Sequence, residues 1–75
     1  MTLRNAKIGV THTVSSLELD ITTRRRLEAL GLTKGTSIKL LNRNRGGSVI
    51  IMVRGSRLAL GGRIAEAVQT QEASR

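Results

Sequence analysis

The sequence predicts a mainly β fold: a small closed barrel of about five short strands, with one helix over residues 21–30 and a short helical turn near the C-terminal end. Three observations carry that expectation. Residues 6–14 alternate with period two, which marks a half-buried strand. Glycine-centred turn signals recur at Gly31, Gly35, Gly55 and Gly61-Gly62, separating short apolar runs. A single segment carries both a helix start and a helix stop. Closure of the strands into a barrel hides the edges that an open sheet of this size exposes.

The elements follow in order. In the first strand Ala6, Ile8, Val10, His12 and Val14 share one face, and Lys7, Gly9, Thr11 and Thr13 share the other. Ser15-Ser16 is expected to be an irregular turn, with Leu17 and Leu19 extending the apolar set. Asp20 is placed to cap the helix, its carboxylate accepting from first-turn amides. Thr23, Leu27 and Leu30 are the expected buried stripe, with Arg24, Arg25 and Arg26 spread over the rest. Gly31 stops the helix in a left-handed conformation, folding Leu32 back onto Leu27. Thr33 to Thr36 is a tight turn with Gly35 at positive φ. The second strand follows with Thr36, Ile38 and Leu40 inward. A polar loop spans Asn42 to Ser48. The run Val49 to Arg54 is the third strand, and Gly55-Ser56 a Gly-first hairpin turn. Arg57 to Leu60 is the fourth strand. Gly61-Gly62 breaks it, Ile64 and Ala65 enter a short helical turn, and Val68 to Gln71 pairs with the first strand. The whole of 1–75 is expected to form one domain, with its core at about 6–70 and a frayed tail from Glu72.

Composition narrows the function. Of the 75 residues 39% are hydrophobic, enough for one compact core and not a second. The absence of Cys removes disulfides, thiolate zinc sites and cysteine-ligated clusters. No apolar leader follows Met1, and the longest apolar run, Val49 to Val53, is far short of the ~20 residues of a membrane span. Ten Arg and three Lys against five acids give a net charge of +8, which calls for an anionic partner. The absence of Phe, Tyr and Trp removes base-stacking platforms and aromatic peptide grooves. Duplex DNA held through its phosphates stays open as the alternative.

The stretch Arg26-Leu27-Glu28-Ala29-Leu30-Gly31-Leu32-Thr33-Lys34-Gly35-Thr36, followed by Val53-Arg54-Gly55-Ser56-Arg57-Leu58-Ala59-Leu60, resembles the FeoA family of bacterial ferrous iron uptake. The ending Ile64-Ala65-Glu66-Ala67-Val68 is similar to the family's last helix and strand. Each motif alone is short; their order and spacing carry the resemblance over roughly 6–70. It implies an SH3-like β-barrel and an accessory role toward FeoB, the membrane Fe²⁺ transporter with a cytosolic G domain. A related domain is fused to metal-dependent repressors; a chain of this length resembles the free-standing form. Lys34 stands where the family often has Pro, the 42–48 loop is Gly- and Arg-rich, and Ser56 replaces an aromatic near the hairpin tip.

Catalytic chemistry finds no support. A P-loop needs Gly-Lys-Ser/Thr after a strand, and here Lys34-Gly35 is in the reverse order. His12 has no elbow serine or acid placed for a triad. As a metal ligand His12 stands alone, with Glu18 and Asp20 the nearest carboxylates, whereas ferrous sites commonly use two His and one carboxylate. His12 therefore reads first as a structural residue, and no cofactor is expected beyond loose association with Fe²⁺ or another divalent cation. Arg24, Arg25, Arg26, Arg43, Arg45, Arg54 and Arg57 are the expected docking surface, with Arg24 also spaced to pair with Glu28. The resemblance places the chain in the cytoplasm, peripheral to the inner membrane through FeoB. Self-association is left open by the sequence.

Overall fold

The computed structural model describes residues 1–72. Five antiparallel strands form one sheet: β1 (Thr11–Leu17), β2 (Ser37–Arg43), β3 (Val49–Val53), β4 (Ser56–Leu60) and β5 (Val68–Glu72). Their order is β4-β3-β2-β1-β5. The strand count and the pairing of the last strand with the first match expectation. The closure does not: among the described residues no ladder joins β4 to β5, so the sheet has two edges.

Two bulges govern which side chains enter the core. On β1 the pairing with β5 slips between Val14 and Ser16. His12 and Val14 are buried before the slip and Leu17 after it. An extra residue reverses the alternation, so Ser15-Ser16 is a bulge inside a continuing strand, not a turn. On β2 the pairing with β3 slips between Leu40 and Asn42. Ile38 and Leu40 face inward before it. Beyond it Arg43 pairs with inward-facing Val49, and Asn42 with outward-facing Ile50.

The first strand starts later than its alternation predicts. Residues Leu3–Asn5 form a 3₁₀ turn, and Gly9 has φ +83°, which a running strand cannot contain. Ile8 is consequently exposed while Leu3 and Ala6 are sealed in the core. At the other end Glu72 belongs to β5, opposite His12, because the β1–β5 ladder holds it. The remainder of the expected frayed tail, 73–75, lies outside the described residues.

Helix α1 (Ile21–Ala29) is specified at both ends. The Asp20 carboxylate accepts from the Thr23 amide at 3.1 Å. Hydrogen bonding by the Thr23 side chain, then by the Thr23 amide, holds this carboxyl below its ordinary range. At the C-terminal end the Leu32 amide donates to the Leu27 carbonyl and the Gly31 amide to the Glu28 carbonyl, both at 3.0 Å. With Gly31 at φ +99° this is the expected Schellman ending. Leu27 and Leu32 are buried; Leu30, expected in the same stripe, is 53% exposed. A nine-residue helix with Leu27 as its one buried residue offers the core a narrow strip, and Leu32, brought back by the chain reversal at Gly31, takes the place of Leu30.

The β3–β4 turn is also displaced by one residue. Val53 pairs with Ser56, so the two turn residues are Arg54 and Gly55, with φ 51° and 81°. Positive φ at both positions defines a type I′ turn, not the Gly-first type expected. Helix α2 (Gly62–Ala67) follows, and its Ala65 is fully buried. The core is closed by Leu40, Ile51, Leu32, Val49 and Val68.

Candidate functional site: a cationic sheet face

From Ala29 to Ala65 the chain contains no Asp or Glu, yet it carries Lys34, Lys39, Arg43, Arg45, Arg54, Arg57 and Arg63. All five acids, Glu18, Asp20, Glu28, Glu66 and Glu72, lie outside that span. The fold makes this a spatial asymmetry, because the span comprises β2, β3 and β4, which are adjacent in the sheet. Among the described residues the ion pairs are Arg4–Glu66 at 3.5 Å and Arg24–Glu28 at 3.9 Å. Both are exposed, and such pairs contribute little to stability. The cations of β2–β4 thus have no carboxylate counterpart in the described chain.

The expected docking arginines do not form one patch. Arg25 and Arg26 are exposed on α1, and Arg24 is turned toward Glu28 as its i, i+4 spacing predicts. Arg54 joins them from the hairpin tip: its Nε donates to the Gly31 carbonyl at 3.4 Å, laying the side chain over the end of α1. Arg57 stands on the outer face of β4. Arg45 lies in the loop at the far end of β3 from Arg54, a strand of five residues away, or roughly 17 Å.

Arg43 is a different case. Its Nη1 donates to the Ala6 carbonyl at 2.7 Å and to the Arg4 carbonyl at 3.0 Å. The half-buried guanidinium ties the N-terminal segment to β2, and it is a structural clamp, not a free charge. Simple alternation puts Arg43 outward with Ser37 and Lys39; the Leu40/Asn42 slip turns it inward.

His12 is 1% exposed. Its Nε2 lies 3.0 Å from the Lys7 carbonyl, so Nε2 carries the proton and donates. Nδ1 is buried with no partner among the described residues. Among the described residues no three His, Cys, Asp or Glu side chains converge as a metal site. Neither Glu18 nor Asp20 joins His12: Asp20 caps α1 and Glu18 lies 3.5 Å from the Ser16 hydroxyl.

Sequence reasoning overlooked the surface that adjoins these charges. On the outer face of β3 and β4, Ile50 is 39% exposed, Ala59 opposite it is exposed and Met52 half-buried. An unbroken apolar run from Val49 to Val53 conceals which members face out. The acid-free span was readable from the sequence and is the signal that finds this face. A cleft of about 190 Å³ lies beside it, lined by Asn42, Asn44, Ser48, Ile50 and Ala59 among others. That is smaller than the roughly 300–1,000 Å³ of small-molecule sites. No helix among the described residues is long and apolar enough to cross a membrane.

The model of the FeoA domain family matches residues 1–71. The solution structure of the FeoA protein from Chlorobium tepidum is 28% identical, with TM-score 0.89, the match covering 99% of this chain and 71% of that one. A crystal structure described as iron uptake regulatory protein (FeoA) is 29% identical, with TM-score 0.85, covering 97% of this chain and 96% of that one. A manganese-dependent transcriptional repressor aligns at TM-score 0.87 and 20% identity, over 97% of this chain and 41% of that one; at that identity the likeness is one of fold. No curated protein sequence matches the chain. The SH3-like expectation is met in strand number and in structural neighbours, with the ladder left open.

Proposed function

Because the chain belongs to the FeoA family, we propose that it is a non-catalytic accessory domain of ferrous iron uptake that docks on the cytosolic part of a FeoB-type transporter. The observation that carries the docking reading is the acid-free β2–β4 span, whose outer face carries Lys39 and Arg57 in register across Met52, with Arg45 in the β2–β3 loop and no carboxylate between Ala29 and Ala65. Such a surface attracts an acidic partner and accelerates its encounter. The other features agree with a binding role. His12 is buried with Nε2 donating to the Lys7 carbonyl, and the cleft beside the surface is smaller than the usual small-molecule site. In this reading Fe²⁺ is the transporter's cargo, and the chain stays in the cytoplasm and reaches the inner membrane only through its partner.

The test is co-sedimentation with the cognate transporter in lipid nanodiscs at low salt, with GDP, a GTP analogue and no nucleotide. Binding in at least one state is expected, weakening as salt rises. Absence of binding in all three contradicts direct docking.

A further inference from the structure

We propose that the free edge of β4 receives an extended acidic segment of the partner as a sixth strand. This rests on the docking reading above and specifies where and how the contact is made.

The two edges of the sheet are treated differently. At the β5 edge the Thr70 amide donates to the Met1 carbonyl at 2.7 Å, the Thr70 hydroxyl reaches the same oxygen, and Thr2 bridges Gln69. The chain's own N-terminus covers that edge. At the β4 edge the described residues provide nothing comparable: no backbone hydrogen bond of β4 lies outside its ladder with β3. In a hairpin closed by a two-residue turn, the pair flanking the turn exchanges both hydrogen bonds, and alternate residues thereafter face outward. Val53 and Ser56 are that pair. Arg57 and Ala59 therefore present their N–H and C=O groups to the open side.

The chemistry of the edge selects its occupant. Arg57 and Ala59 project from the outer face beside Met52 and Ile50. A strand laid along β4 gains main-chain hydrogen bonds to Arg57 and Ala59, places a carboxylate across from Arg57, and sets a small or apolar side chain against Ala59. A second copy of this chain is disfavoured there. It carries +8, its own β4 offers another arginine, and an edge cation is a recognised block to self-pairing. An acidic segment turns the same cation into an attraction.

The experiment uses the full chain, ¹⁵N-labelled, titrated at low salt with a synthetic peptide alternating Glu with Thr and Val. Arg57 and Ala59 amides are expected to shift and to exchange with solvent about tenfold more slowly. Affinity is expected to fall about tenfold or more when the peptide's alternate amides are N-methylated, when Lys replaces Glu, or in the Ala59→Pro variant. The N-methylated peptide leaves the protein unaltered, so the test does not depend on Ala59→Pro folding. The inference is overturned by any of four results: no movement of either amide, shifts confined to α1 or the 44–48 loop, undiminished binding of the N-methylated peptide, or equal movement of the β4 amides by duplex DNA. Movement of those amides on raising protein concentration alone also overturns it, assigning the edge to a second copy. A parallel titration with the transporter's cytosolic part separates the two levels. Binding that leaves Arg57 and Ala59 unmoved removes the edge and keeps docking; peptide capture without transporter binding supports the edge and removes docking.

Discussion

At the residue scale, two side chains show how local chemistry decides role. The Arg43 guanidinium satisfies two main-chain carbonyls from a segment nearly forty positions away in sequence. Arg43→Ala leaves these carbonyls without a donor and is expected to destabilise the fold by about 1.5–3 kcal/mol. Both bonds come from Nη1 alone, and an ammonium also has enough N–H groups for two carbonyls, so Arg43→Lys should recover part of the loss; urea unfolding measures both. Asp20 provides a pH test. Its carboxyl titrates below its ordinary range in the folded chain. The stabilisation is therefore complete above the unfolded value of about 3.9 and lost as pH falls through the folded one. Asp20→Asn, which still caps, should remove this part of the acid sensitivity in thermal melts followed below pH 5 or so. The burial of His12 was legible, because it shares the alternation of Val14. Arg43 was not legible, because its inward turn depends on a bulge.

The element scale explains that difference. Helix α1 was readable to within a residue, since its start and stop are encoded locally by Asp20 and Gly31. The β1 and β2 bulges were not, since pairing register is a property of two strands and no single-strand pattern contains it. The hairpin turn was misplaced by one residue for a related reason: cross-strand pairing of Val53 with Ser56 forces an arginine into left-handed backbone, where glycine or asparagine is ordinarily found. Arg54→Asn should relieve that strain and raise stability by about 0.5–1 kcal/mol, or roughly 2–8 °C in Tm. If the strain is retained for docking, the same variant binds the transporter less tightly. A third element contact is set by Gly62. A Cβ there meets the Gly46 carbonyl oxygen at 2.8 Å and the Gly47 carbonyl carbon at 3.3 Å. Both are backbone, so Gly62→Ala should push the 44–48 loop off α2 and destabilise by about 1–3 kcal/mol. Loss of the native Arg45 amide position in NMR spectra checks it.

At the scale of the whole molecule, charge and topology coincide. One continuous acid-free span folds into three adjacent strands and ends at an edge that the described residues leave uncovered. The partner that fits is acidic, and its recognition should be sensitive to salt in a way that an apolar contact is not. The most direct test is calorimetric titration of the transporter's cytosolic part into the wild-type chain and into Arg57→Glu, at low and at physiological salt. The account predicts saturable binding by the wild type, weakening with salt, and at least about a tenfold loss in Arg57→Glu with the fold intact. Equal affinity of the two proteins at both salt concentrations, or no binding by either, contradicts it.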